Sequence, residues 1–265
     1  MPQEIIPKKA RIRLEADSIT NDYVGIVQNS CNMLAFITSN LNNIPFEDIP
    51  SPDYFSGYIE FNKINYVGDK KIYLDMWLFN HGINDIIKAL NLSMARASYL
   101  SEMTRVKGKT MLYEDYMDFE KSINKKILKK DLPTLISLTS KLVNKPLILT
   151  EEILSLNKAR KCLEHRTGIV TETDTNTENE YGKQLEIKWI GTQLTVLRNE
   201  EKVIIDKSGF SLNKGEKIQI SNVNKKKIFD IGERFRIDMK TFYELSYTGY
   251  LFVKHIADNF NFGNK

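Results

Sequence analysis

The spacing of the apolar residues changes twice along the chain, and nothing else constrains the fold as strongly. Through about residue 170 they recur every three or four positions, as helices with one buried face require. Ile19, Tyr23, Ile26, Val27, Met33, Leu34, Ile37 and Leu41 carry the first stripe, behind Asp17 and Ser18, two good N-cap types. Arg11–Glu15, ahead of it, reads as a short strand or a lead-in. Ile44–Pro52 is a loop broken by Pro45, Pro50 and Pro52. Tyr58–Val67 alternates like a hairpin arm, and Val67-Gly-Asp-Lys70 looks like a turn. Further helices are predicted over Ile72–Met103, with Gly82 a candidate break, over Tyr113–Leu128, and over Leu132–Val143 with Pro133 in its first turn. Another runs from Thr150, read as its cap, to Gly168, a natural terminator.

Thr171–Gly182 is rich in Thr, Asn, Asp and Glu and reads as a mobile surface loop. The period then becomes two. Leu185, Ile187 and Trp189 alternate, as do Leu194 and Val196, Val203 and Ile205, then Ile218 and Ile220. Gly191-Thr192, Asn199-Glu200-Glu201 and Lys214-Gly215 are the expected turns of a small antiparallel sheet. Asp238 caps a last helix whose apolar side holds Met239, Phe242, Leu245, Tyr250, Phe252, Val253 and Ile256. A helix this apolar needs a partner, and the first 170 residues offer one. The expectation is a mainly α helical bundle: residues 1–170 form the core, 171–236 a β-rich insertion, and 237–260 a final helix packing back on the core.

Several chemistries find no support. His81, His165 and His255 are far apart and lack metal-type neighbours at i+3 or i+4, so no metal site is expected. No Gly-rich loop links a strand to a helix, and no Gly-x-Ser-x-Gly elbow occurs. Two cysteines, Cys31 and Cys162, make no disulfide framework and fit a reducing cytoplasm. Cys162 reads as a small buried residue, and Trp77 and Trp189 read as core. No apolar run reaches about 18 residues and no secretion signal stands at the start, so no membrane partner is expected. The net charge of +4 only weakly favours a polyanion. The Lys125-Lys126 and Lys129-Lys130 pairs read as a solvated helix face, and Lys225-Lys226-Lys227 reads similarly.

The informative stretch is Leu156–Val170. It resembles the HEPN superfamily, whose active members carry Arg-x(4–6)-His on a helix, often extended as Asn-x-x-Arg-…-His-Arg-x-Gly-x-Val. Asn157, Arg160, His165, Arg166, Gly168 and Val170 fall in that register. Phe229–Asp238, leading into the last helix, is similar to the closing part of such domains. The residue after the arginine is Lys161 where the family usually has Asn, and Glu164 precedes the histidine at a spacing that can pair with Arg160 or Lys161.

Five residues of α-helix advance about 7.5 Å and turn about 500°, a net of about 140°. Arg160 and His165 therefore lie on different stripes, and two copies facing across a two-fold axis could build one cleft from both. What the resemblance implies is metal-independent RNA cleavage without a cofactor, the ribose 2′-OH attacking the adjacent phosphate in a homodimer. His165 would move the proton, Arg160 would stabilise the phosphate, and Asn157, Lys161 and Arg166 would position it. Such a protein would be a toxin or anti-phage effector acting on tRNA or mRNA, with an antitoxin or phage trigger protein as a further partner. The alternative is a non-catalytic HEPN module for dimerisation or for RNA or protein binding.

Overall fold

A computed structural model describes residues 14–40, 43, 67–127, 129–180, 182–198, 201–205, 213 and 215–262. Mainly helical architecture is what it shows. The helices are α1 (Ser18–Asn40), α2 (Val67–Arg105), α3 (Tyr113–Ile127), α4 (Leu132–Thr139), α5 (Thr150–Arg166) and α6 (Met239–Asp258). The strands are β1 (Thr177–Asn179), β2 (Gly182–Arg198), β3 (Glu201–Ile204) and β4 (Ile218–Asp230). Among the described residues, no helix is long and apolar enough to cross a membrane.

The first stripe packs as its spacing requires. Ile19, Tyr23, Val27 and Leu34 are buried on α1 against α2 and α6. The Tyr23 hydroxyl donates to the Ser246 carbonyl at 2.7 Å. A Cβ on Gly249 would stand 2.1 Å from that hydroxyl oxygen, so only glycine admits the crossing. Gly82 has the same use and does not break α2. A Cβ there would lie 2.6 Å from Phe242 and 2.7 Å from Leu34, where α1, α2 and α6 meet. α6 starts at Asp238, whose side chain accepts from the Thr241 amide. Phe242, Leu245, Phe252, Val253 and Ile256 are each 0% exposed. Burial at roughly 1.5–3 kcal/mol per such side chain explains why α6 belongs to the bundle core.

Several expectations need correction. Val67-Gly-Asp-Lys70 is the first turn of α2, because the long helix that follows overrides a local turn preference. Leu14 and Glu15 are not in a strand. Residues 11–13, 44–52, 58–66, 199–200 and 214, which carried other turn, loop and strand expectations, lie outside the described residues. α4 ends at Thr139 rather than Val143: the chain beyond it pairs with the segment after α6, Asn144 donating to the Asn259 carbonyl and Asn261 to that of Leu142. Thr150 does not cap α5; Leu149 does, in the left-handed region and without a side-chain bond. Trp77 is 58% exposed and lies against the His81 ring, while Trp189 is buried.

Gly191-Thr192 is no turn. β2 runs unbroken for 17 residues, and β4 pairs with it antiparallel from Val196↔Ile218 to Gln184↔Asp230. Gly191 leaves room for the Lys225 stem, which crosses it to reach Glu244 at 2.6 Å. The lysine triplet thus lies on a strand, with Lys225 and Lys226 in ion pairs. Residues 171–180, the described part of the expected loop before Gly182, form an ordered clasp. Thr171 and Asp174 cap each other across a 3-10 turn at Glu172–Asp174, and β1 pairs with β2. Its polar residues bond one another, so low apolar content does not mean disorder here. The sheet lies on α5 and α6 together: the Lys188 amide donates to Ser155 Oγ at 3.0 Å and the Ile190 amide to Thr248 Oγ1 at 2.9 Å.

Candidate active site

α5 divides its faces sharply. Leu156, Ala159 and Leu163 enter the bundle, while Ser155 and Cys162 turn toward the sheet and the clasp. Burial pushes the Cys162 thiol up to about 11, so it stays protonated and is no nucleophile at neutral pH. The helix ends with Thr167 and Gly168 both left-handed, and the Gly168 amide donates to the Cys162 carbonyl at 3.1 Å. This turn directs the chain into Val170 and the clasp and leaves His165 projecting from the last turn.

The helical rotation of about 140° between Arg160 and His165 does not keep their side chains apart. Glu164 lies between them. Its Oε2 accepts from Arg160 Nη1 at 2.5 Å, and His165 Nε2 stands 3.9 Å from that same oxygen. One carboxylate oxygen is thus the meeting point of both residues within a single chain. The side chains of Arg160 and Glu164 are 24% and 30% exposed, and that of His165 is 64% exposed. Arg160 Nε is buried and has no hydrogen-bond partner among the described residues. Lys161 is exposed beside the start of α4. There Asp131 sits below the usual carboxylate range, chiefly through hydrogen bonding with the Thr134 side chain and then its amide, and to a lesser degree through the charge of Lys161.

The other two expected residues are placed differently. Asn157 is buried, 7% exposed, on the inner side of the helix. Arg166 donates to Asp174 Oδ1 at 2.8 Å, and Asp174 is itself 1% exposed. Arg166 also reaches the Lys161 carbonyl at 3.3 Å, so it braces the end of α5. The bond to Asp174 was missed because the partner lay in a segment read as loop. Thr171-x-x-Asp174 is nevertheless a capping-box pattern that marks local order.

No family model, curated protein or solved structure matches the chain. The site therefore has to be read from its own chemistry. Among the described residues, no group of three His, Cys, Asp or Glu side chains could hold a metal ion. What the end of α5 offers is a permanent cation and an imidazole that meet at one carboxylate oxygen, with the exposed Lys161 next to Arg160 along the helix. A phosphate oxygen is the other common anionic acceptor that an arginine and a histidine can share.

Proposed function

We propose that the chain is a HEPN-type, metal-independent endoribonuclease whose active groups are Arg160 and His165. One observation carries the reading: both side chains converge on Oε2 of Glu164, at 2.5 Å and 3.9 Å, so the carboxylate occupies the position suited to a substrate phosphate oxygen. When RNA displaces Glu164, Arg160 holds the scissile phosphate and offsets the charge that builds on it. His165, exposed at the helix end, takes the proton from the 2′-OH or gives one to the departing 5′-oxygen. The products are a 2′,3′-cyclic phosphate and a 5′-OH. Lys161 contacts a neighbouring phosphate, while Arg166 and Asn157 hold the helix rather than the substrate. A second copy across a two-fold axis would bring another Arg160–His165 pair to the same strand. In a cell such an activity suits a toxin or an anti-phage effector in the cytoplasm.

A second reading has its own support. Arg160 is already paired, which suits a non-catalytic HEPN module that binds RNA or a protein. Incubation of tRNA or total RNA in EDTA with wild type, His165→Ala and Arg160→Ala separates the two. Cleavage by the wild type, falling about 10²–10⁴-fold in each variant, is expected. Intact RNA, or equal cutting by all three proteins, would overturn the ribonuclease reading in favour of the binding module.

A further inference from the structure

Positive charge on this protein is distributed unevenly once ion pairs are taken into account. On the sheet most cations are paired with acids: Lys183 with Glu172, Lys188 with Glu151, Lys225 with Glu244, Lys226 with Glu186 and Arg198 with Glu216, while Lys202, Lys217 and Lys227, spread over separate strands and loops, have no acidic partner among the described residues. The corner where α3 runs into α4 differs. Lys125 and Lys126 end α3, and Lys129 and Lys130 follow within the short connection to α4. Lys125, Lys126 and Lys129 are exposed, and Lys130 is partly so. None of the four has a side-chain hydrogen bond or ion pair among the described residues.

The acids near this corner are fewer than its lysines. Asp131 caps α4 through Thr134, and Glu164 holds Arg160. The first-turn acids of α3, Glu114 and Asp115, stand at the opposite end of that helix. The corner also adjoins the candidate active site. The charge of Lys161 reaches Asp131, the residue directly after Lys130, and Lys161 is the neighbour of Arg160 on α5. α4 packs against α5, so the connection that carries Lys129 and Lys130 neighbours the helix that carries Lys161 and Arg160.

We propose that Lys125, Lys126, Lys129, Lys130 and Lys161 form the surface on which the sugar-phosphate backbone of single-stranded RNA lies as it leads to Arg160 and His165. This rests on the ribonuclease reading and extends it from the scissile phosphate to the strand. The residue type sets the mode of recognition. Lysine is a mobile point charge that takes phosphates without reading bases, so the surface holds RNA independently of sequence. The cleavage position is then chosen at α5 and not along the track.

The test measures binding of a fluorescent single-stranded RNA by anisotropy at several salt concentrations, in the His165→Ala background so that the probe stays intact. Each phosphate contact on a single strand contributes a slope of about −0.7 in log K against log salt. Lys125→Gln, Lys126→Gln and Lys129→Gln together should flatten the slope by about 2. Between 50 and 200 mM salt the affinity of this variant should then fall about 20-fold less than that of its parent. Lys107→Gln with Lys109→Gln removes exposed charge ahead of the start of α3 and should leave affinity and slope near the parent's. Lys161→Gln gives a single-site check that leaves α3 intact, with an expected slope change of about 0.7.

Unchanged binding by the triple variant and by Lys161→Gln, in a protein whose wild type cleaves RNA, overturns the strand path and leaves the ribonuclease reading standing. An equal loss in the Lys107/Lys109 variant also overturns it, because diffuse charge would then be sufficient. Binding with the predicted slope changes, but no cleavage by the wild type, keeps the path and refutes the ribonuclease reading. Binding to phosphatidylserine vesicles and not to RNA, lost in the triple variant, would reassign the corner to a membrane surface.

Discussion

Replacing Glu164 with glutamine should make the protein bind RNA more tightly and hold together slightly less well. In the wild type an incoming phosphate must displace a carboxylate that Arg160 grips at 2.5 Å and His165 approaches to 3.9 Å. The pair is mostly covered, at 24% and 30% side-chain exposure, which puts it near the upper end for a partly solvated helical ion pair, about 1 kcal/mol. Removing that competition is worth about fivefold in affinity. Glutamine keeps the length of the side chain and still accepts a hydrogen bond from Arg160. The fold should therefore lose no more than about 1 kcal/mol, or roughly 2–4 °C in melting temperature. The assay pairs anisotropy with a 2′-O-methyl RNA, which binds but cannot be cut, with a thermal melt of the same samples. Opposite signs in the two measurements are the signature of an internal anion standing in for the substrate. If affinity is unchanged or weaker, Glu164 orients Arg160 for the substrate instead of competing with it, and the phosphate-mimic argument fails.

Other outcomes follow from the same geometry. Asp174→Ala strips a 1% exposed carboxylate from Arg166, the Thr171 amide and the Thr171 hydroxyl, and should cost about 3 kcal/mol, seen as a melt roughly 6–10 °C lower with new protease cuts in residues 171–180; an unchanged melt would refute the clasp. Glu216, gripped by Arg198, is held down to about 2, below its unfolded value of about 4.3. Its contribution is complete above the unfolded value and vanishes as pH falls through the folded one, so melts taken from pH 5 to pH 2 should decline less steeply in Glu216→Gln. Cys162, with burial holding its thiol up near 11, should resist alkylation at pH 8 until urea is added, and rapid labelling of the folded protein would show that α5 is loosely seated.

Helix positions were legible wherever burial decides them. The apolar stripe and Asp238 locate α6, and the run from Thr150 to Gly168 locates α5, because a helix against a core leaves a periodic trace. The errors arose where one residue type serves two purposes. Gly191 resembles a turn glycine, yet it is small because Lys225 passes over it. Val67-Gly-Asp-Lys70 resembles a turn but begins a 39-residue helix. Thr171–Gly182 resembles a loop because its bonds join polar groups to one another, and no apolar pattern records them. At the site, the resemblance singled out Arg160 and His165, and helical spacing gave the capacity of Glu164 to pair with Arg160. It could not show that both residues meet at one oxygen, since that depends on side-chain reach and not on backbone angle. Nor does spacing report that Arg166 is tied to Asp174, eight residues further on.

β2 touches the bundle at two helices that lie far apart in the chain, with Ser155 of α5 and Thr248 of α6 each accepting one of its amides. Trp189 adds a third tie, its indole nitrogen donating to Glu244 at 2.7 Å. The segment that interrupts the helices in sequence is therefore their splint in space. It cannot be excised and α5 joined to α6 by a short linker without uncovering both helices along the same side. Insertions should not be tolerated along the stretch of β2 from Leu185 to Ile190, where the strand lies on both helices. In evolutionary terms the β segment is no detachable module: variation in it is constrained by the helix that carries Arg160.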